Sequence, residues 1–212
     1  MPYGYLGQNT PNQTVSNSGV FSISDVASLE KQGKFGGSLE LIEEVNITSA
    51  TANISFTNIQ ETKFDVHYLT FNLLFDDAFG NEYLFYQLYE SGVRETASVY
   101  QYAQQYGTAS GSFGEQKSTG TALPLLSISA GQTTNELTCG YVYWYNLGNS
   151  SKYSFCTNHT VQYDNTAFLM NFSGSVLPQA STVDGIYLAS GSGANIVQGN
   201  FKLYGVKQLW VL

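Results

Sequence analysis

Most of the chain alternates apolar and polar residues with a period of two, the pattern of a half-buried β-strand. Between residues 64 and 75, for example, Leu69 and Phe71 fall on one face, and Thr70 and Asn72 fall on the other. Segments rich in Gly, Asn, Asp and Ser separate such stretches and predict turns. The pattern predicts these strands: Leu39–Ile47, Ala52–Ile59, Phe64–Phe75, Tyr83–Glu90, Ser98–Tyr106, Leu123–Ser129, Leu137–Leu147, Tyr153–Tyr163, Ala167–Val176, Val183–Ala189 and Gln198–Val206.

Residues 107–122 interrupt this alternation with the sequence GTASGSFGEQKSTGTA. Because Gly, Ser and Thr dominate the segment, we predict a long loop at one end of the domain. Successive strands without intervening helices are typical of sheets that pair with sequence neighbours. The sequence therefore predicts an all-β fold, an antiparallel β-sandwich or jelly roll.

The first 36 residues lack this strand pattern. Residues 1–20 combine Gly, Pro, Asn, Gln and Ser with scattered aromatic and aliphatic residues, which predicts an extended arm. Residues 24–32 predict one short helix, because Ser24 suits the N-cap and Gly33 suits the stop. We therefore divide the chain into residues 1–36, an arm and helix for attachment, and residues 37–212, a β-sandwich or jelly-roll domain.

Low charge excludes several classes of function. Charged residues make up 11% of the chain, and only 8 Lys and Arg oppose 16 Asp and Glu. A nucleic-acid-binding protein needs many cations to neutralise phosphates, so we exclude nucleic acid as a partner. No apolar run is long enough to span a membrane, so we expect no membrane insertion. The opening MPYGYLGQNTPNQ lacks the pattern of a signal peptide, so we interpret the Asn-x-Ser/Thr sequons as chance.

Residues that could carry chemistry are few and scattered. We interpret His67, which lies among large apolar residues, as structural, and we expect His159 to be exposed near a turn. Glu43 and Glu44 are adjacent on a strand and point to opposite faces, which makes them a poor acid–base pair. The carboxylates of residues 76–82 are typical of a hairpin turn and lack the ligand spacing of a calcium loop. We therefore predict no catalytic residues, no metal site and no cofactor, and thus no enzyme.

The two cysteines, Cys139 and Cys156, lie on neighbouring predicted strands. A disulfide between them is geometrically possible at this stage. A chain made in a reducing compartment more often keeps such residues as small buried hydrophobes. We therefore expect free thiols.

Tyrosines interleaved with glutamines mark the candidate contact residues. The segment SVYQYAQQYG, residues 98–107, is the clearest example. Tyrosine offers a large contact area and a hydroxyl, which suits protein interfaces and sugars. By contrast, we expect Trp144 and Phe85 in the core. The candidate interface or ligand contacts are three tyrosines of this segment and three residues of the arm: Tyr3, Tyr5, Leu6, Tyr100, Tyr102 and Tyr106.

Five segments together resemble a known class of protein: MPYGYLGQNTPNQTVSNSGVFSI, GSLELIEEVNITSATANISFTNI, FDVHYLTFNLL, GYVYWYNLGNSSKYSF and VDGIYLASGSGANIVQGNFKLYGVK. They resemble virion structural proteins of tailed bacteriophages, particularly those of aquatic cyanobacterial hosts. The opening MPYGYLGQ is similar to the virion-attachment ends of phage fibre proteins, and Gly199–Val206 resembles the closing strand of a jelly roll. The resemblance implies a noncatalytic, oligomeric β-protein of the virion and assigns no functional residues.

The first functional hypothesis is a structural protein on the virion surface, either a tail or fibre component or a capsid decoration protein. It would assemble through its arm and its tyrosine-rich β-surface. Its expected partners are other virion proteins and copies of itself, as a homotrimer. The alternative is a lectin-like module that recognises host surface polysaccharide, because exposed tyrosines and abundant amides suit sugars.

Overall fold

A computed structural model of the chain describes residue 23 and residues 38–76, 82–126, 133, 135–163 and 167–207. Leu39–Lys207 form one compact unit. Its strands are β1 (Leu39–Ile47), β2 (Asn53–Phe56), β3 (Val66–Phe75), β4 (Leu84–Glu90), β5 (Val93–Arg94), β6 (Tyr100–Thr108), β7 (Phe113–Gly120), β8 (Leu123–Pro124), β9 (Thr138–Tyr145), β10 (Ser154–Tyr163), β11 (Phe168–Leu177), β12 (Val183–Ser190) and β13 (Ile196–Val206).

The strands form two antiparallel sheets. The large sheet has eight strands in the order β1-β13-β3-β9-β10-β11-β6-β7. The small sheet has the order β2-β12-β4-β5, and β8 pairs with β4 beside this path. The two sheets share one hydrophobic core, which confirms the predicted antiparallel β-sandwich.

The core consists of inward side chains from both sheets. Trp144 of the large sheet meets Tyr86 of the small sheet edge to face, with ring centroids 5.4 Å apart. Both side chains are fully buried, which confirms the prediction for Trp144. Phe85 corrects the other expectation. It is only half-buried and contacts Tyr187 on the outside of the small sheet, because its neighbours on β4 take the inward positions.

Each predicted strand has a counterpart, and the predicted faces of β3 are confirmed. The inward residues of β3 include Leu69 and Phe71, whereas Thr70 is half-exposed. Most boundaries agree within a few residues. The largest difference within the described residues is β2, which spans Asn53–Phe56 and ends before the predicted Ile59, and β8 is a two-residue strand.

The predicted loop over residues 107–122 is wrong, because β7 occupies Phe113–Gly120. It pairs with β6 along its whole length. Two aromatic–glycine pairs explain why a glycine-rich segment folds this way. Tyr106 lies over Gly114 and Phe113 lies over Gly107, so each ring fills the space that the opposite glycine leaves.

Several predictions fall outside the described residues. They include the arm over residues 1–20, the helix over residues 24–32 and most of the turn over residues 76–82. The division between residues 1–36 and 37–212 stays a prediction. Among the described residues, no helix has the length and apolar character needed to cross a membrane.

Candidate interaction surface

The β10–β11 hairpin carries its apolar side chains on the wrong face for a sandwich. Its two strands pair residue by residue over their full length. Polar residues point inward and are buried, among them Asn158, Thr160 and Asn171. Large apolar residues point outward and are 37–46% exposed: Phe155, Val161, Tyr163, Phe168 and Phe172. A sheet face that covers a dry core normally shows the opposite arrangement.

The same outward face extends across the large sheet. We call the outward-pointing residues of its eight strands the outer face. This face contains most of the large hydrophobic residues that are exposed in the described part of the chain: Leu39, Leu41, Phe113, Tyr141, Phe155, Val161, Tyr163, Phe168 and Phe172. Five of these residues stand on the paired strands β10 and β11, and contiguous apolar patches of this kind mark interaction sites in soluble proteins.

A tyrosine ladder crosses one part of the outer face. Tyr204, Tyr68 and Tyr143 are direct neighbours on three successive strands. The rings of Tyr68 and Tyr143 stack with centroids 4.5 Å apart, close to the spacing between strands. Rings at that separation stand side by side and cover one another. The ladder therefore presents ring edges and hydroxyls, and burial raises the pKa of Tyr68, so its hydroxyl stays protonated.

A shallow groove lies on the outer face at the β7 edge of the sheet. Two adjoining hollows of about 340 and 400 Å³ form it, and both contain Phe172, Gln105 and Glu115. Phe113 and Met170 complete the second hollow. We call these five residues the rim groove. Phe172, Gln105 and Glu115 are directly opposed on β11, β6 and β7, so pairing of the strands aligns them in one row.

The two histidines lie on opposite faces of the large sheet. His67 is fully buried, and its Nε2 donates to the Ile59 carbonyl oxygen at 2.8 Å, which confirms a structural histidine. Burial lowers the pKa of His67. His159 lies in the middle of β10 between the rings of Tyr141 and Phe172, at 5.9 and 6.5 Å. This position corrects the expectation of an exposed histidine near a turn.

The inward face of β6, β10 and β11 holds a layer of buried amides and hydroxyls. Asn158 Nδ2 donates to Ser173 Oγ at 2.6 Å. The Leu125 carbonyl oxygen accepts bonds from both Thr160 Oγ1 and Asn171 Nδ2, each at 3.3 Å. These bonds satisfy the side-chain amide nitrogens of Asn158 and Asn171, which would be costly to bury unpaired, whereas the Oδ1 atoms of the same two side chains have no hydrogen-bond partner among the described residues.

The cysteines also lie on opposite faces. Cys139 is exposed on the outer face, whereas Cys156 is buried beneath the sheet, and both are free thiols as predicted. The pairing that seemed possible from the sequence is excluded, because the sheet itself separates the two side chains. Burial raises the pKa of Cys156 to about 12 and also raises that of Cys139.

The carboxylates form structural contacts in the described part of the chain. The Asp76 side chain accepts bonds from the backbone and side chain of Asn195. Glu44 Oε1 accepts a bond from Asn200 Nδ2 at 2.6 Å and faces Lys202. These contacts lower the pKa of Glu44. Among the described residues, His, Cys, Asp and Glu form no cluster that could hold a metal ion.

The predicted contact residues fall in different places. Tyr100 is fully buried, and its hydroxyl accepts a bond from the Leu88 amide, so this placement corrects the expectation that it lies at the surface. Burial raises its pKa far above the ordinary value. Tyr102 and Tyr106 are half-buried on the inward side of β6. Tyr3, Tyr5 and Leu6 lie outside the described residues, and their role stays a prediction.

The sequence does not mark the residues that form the outer face as contact residues. Phe155, Phe172 and Val161 stand at alternate positions of predicted strands, so the pattern that places them on a common face was present. Nothing in that pattern states which face is inward. Phe113 lies in the segment whose composition predicts a loop.

Comparisons with known proteins give little. No family model matches the chain, and no curated protein matches it. Among solved structures, the crystal structure of Caenorhabditis elegans galectin LEC-6 is similar, with 11% identity and a TM-score of 0.29. The match covers 75% of this chain and 94% of that chain. At this level the similarity carries no argument about function.

Proposed function

We propose that the protein is a noncatalytic structural protein that assembles through the outer face of its large sheet, packed against a second copy. The single observation that supports this proposal is the inverted β10–β11 hairpin. Its apolar residues face solvent while its polar residues are buried. Such a hairpin leaves an apolar surface in water unless another surface covers it.

The size of the outer face suits a stable contact. Nine large hydrophobic residues on it are each exposed by more than a third. Large side chains carry roughly 150–250 Å² each, so the exposed apolar part amounts to about 800 Å². A standard interface buries about 800 Å² on each partner. The outer face alone therefore provides enough area for association.

The charged residues of the outer face lie at its margins, as they do in protein–protein interfaces. The outward-pointing residues of β3, β9, β10, β11 and β6, all of them described, include no Asp, Glu, Lys or Arg. Charges occur at the two margins, where Glu44 faces Lys202 and Glu115 faces Lys117. An uncharged centre with a polar margin is the usual anatomy of an interface. Because each margin pairs its own charges, the face is compatible with a copy of itself.

The setting in a phage virion rests on the resemblance of the sequence segments alone. In this proposal the protein lies on a tail, a fibre or a capsid and is anchored there by residues 1–36. Packing of one face on its own copy gives a twofold dimer, whereas the homotrimer predicted from the sequence needs the face to meet a different surface. A measured molar mass separates the two arrangements.

Light scattering coupled to size-exclusion chromatography tests the assembly. The wild-type chain is expected to elute as an oligomer whose mass falls on dilution. The double variant Phe155→Ser, Phe172→Ser is expected to elute as a monomer under the same conditions, because it removes two apolar contacts from the centre of the face. Val93→Ser is the matched control, since Val93 is 70% exposed and lies on the small sheet. A monomeric wild-type chain at the highest soluble concentration would overturn self-association.

A further inference from the structure

The Phe113 ring is anchored at one edge and is otherwise exposed. A Cβ atom at Gly107 would lie 3.0 Å from Phe113 Cε1 and 3.2 Å from Cδ1, so the ring lies against the backbone of β6 at that glycine. The residue is nevertheless 82% exposed. The Cδ1–Cε1 edge of the ring therefore contacts the sheet, and most of the ring faces solvent as an exposed aromatic platform. This differs from the tyrosine ladder, whose rings cover one another.

Polar groups stand beside this platform. Gln105 and Glu115 are opposed on β6 and β7, and Phe172 continues the same row on β11. A pyranose ring has an apolar C–H face that packs on an aromatic ring, and hydroxyls at its edge that bond amides and carboxylates. The hollows, about 340 and 400 Å³, are within the usual size range of small-molecule sites. We infer that the rim groove binds a pyranose unit of an uncharged polysaccharide.

The electrostatics favour an uncharged sugar. Glu115 Oε1 lies 3.2 Å from Lys117 Nζ, so the carboxylate and ammonium at the groove offset each other. No unpaired basic residue lines the described hollows to hold an acidic sugar. The chain also carries a formal net charge of −8, which repels polyanions at a distance.

This inference goes beyond the proposed assembly and does not depend on it. The rim groove lies at the β7 edge, and its platform Phe113 belongs to the last strand of the sheet. The centre of the outer face lies on β9, β10 and β11. The centre and the groove share Phe172, so the test leaves that residue unchanged and changes only Phe113, which lies at the margin of the outer face on β7.

Native gel electrophoresis in gels that contain a soluble polysaccharide tests the inference. The full chain is run in gels containing dextran, mannan, galactomannan, xylan or mixed-linkage β-glucan, with polygalacturonate as the acidic probe. We expect retardation by at least one uncharged polymer and none by polygalacturonate. Phe113→Ser is expected to weaken retardation by about tenfold or more, since about 1.4 kcal/mol of lost stacking corresponds to tenfold.

Two further variants keep the test specific. Phe113→Tyr keeps an aromatic ring at this position and is expected to bind as the wild-type chain does. A loss of binding caused by a structural change at residue 113, and not by the missing ring, would appear in both variants. Val93→Ser is the exposed control and is expected to behave as wild type. Failure of all the uncharged polymers to retard the wild-type chain would overturn the inference, as would retardation unaffected by Phe113→Ser. Because the oligomer mass is measured separately, failure here leaves the proposed assembly intact.

Discussion

The two halves of the large sheet differ in which face they bury. In β13 and β3, the inward residues are apolar, such as Leu69, Phe71 and Phe201, and the outward residues include Thr70 and Lys202. In β10 and β11, the inward residues are mostly amides and hydroxyls, and the outward residues are mostly aromatic or aliphatic. One continuous sheet thus reverses its polarity between β9 and β10.

This difference shows where the dry core ends. The ring pairs Phe71–Phe201 and Trp144–Tyr86 belong to the half that packs against the small sheet. Beneath β10 and β11, buried hydrogen bonds stand beside the core residues Cys156 and Leu177, and one of these bonds joins Tyr86 Oη and Ser175 Oγ at 2.8 Å. The hairpin is held inward by polar bonds, so its apolar side is left for an external surface.

The largest expected effect is on the free energy of unfolding, when a phenylalanine on the inward or on the outward side of the large sheet is replaced by alanine. Phe201→Ala should lower the free energy of unfolding by about 3–5 kcal/mol, because it leaves a cavity in the core. Phe172→Ala should cost less than about 1 kcal/mol in the monomer, because the ring is already half in water. Urea unfolding followed by circular dichroism at low protein concentration measures both. Equal losses would contradict the polarity reversal.

The next effect tests the buried polar layer. Asn171→Ala and Thr160→Val each remove one of the two donors to the Leu125 carbonyl oxygen. Each should lower the free energy of unfolding by about 1 kcal/mol. The double variant should lose more than the sum, because the carbonyl then keeps neither side-chain donor. Thr157→Val on the outer face is the control, and a strictly additive double variant would argue against a shared acceptor.

A smaller effect concerns pH and the buried histidine. Burial lowers the pKa of His67 below its ordinary 6.5, so the unfolded chain binds a proton that the folded chain resists. The free energy of unfolding should therefore fall as pH drops below about 6.5, by up to about 1.4 kcal/mol per unit. His67→Gln should flatten this dependence. Glu40, whose pKa is lowered chiefly by its bond to Lys63, stabilises the fold above about pH 4.5, and this contribution is lost only as pH falls below that value.

A kinetic effect separates the two thiols. In the native protein only Cys139 should react with a thiol reagent, and the reaction should quicken as pH rises, since its pKa is raised by burial. Cys156 should react only after unfolding. Cys139→Ser should abolish the native reaction. If the outer face packs on a copy, the rate at Cys139 should also fall as protein concentration rises, and a rate independent of concentration would count against that packing.

The raised pKa of Cys156 has a consequence for stability in alkali. Because the folded pKa is about 12 and the ordinary value is 9.0, the thiol stabilises the fold below pH 9. That contribution is lost as pH rises from 9 towards 12. Comparing wild type with Cys156→Ala over this range measures it, and identical profiles would show that the thiol remains solvated.

The strand pattern was predictable where tertiary context did not compete with it. The alternation in β3 and β9 gave the correct faces, since Leu69 and Trp144 could only be buried in a sandwich. The candidate surface was less predictable. Tyr100 stands among glutamines, but its ring is drawn into the core, where its hydroxyl bonds the Leu88 amide. Phe113 lies in a glycine-rich segment whose pairing with β6 depends on rings filling the gaps.

The sequence by itself determined the all-β class, the positions of most strands and which residues share a face, because a period of two is a local property of the chain. Only the tertiary structure decided which of the two faces of β10 and β11 is buried. That choice depends on what lies above and below the sheet. The side chains of Asn171 and Thr160 reach the Leu125 carbonyl, which is distant in sequence, and this contact turns Phe155 and Phe172 outward.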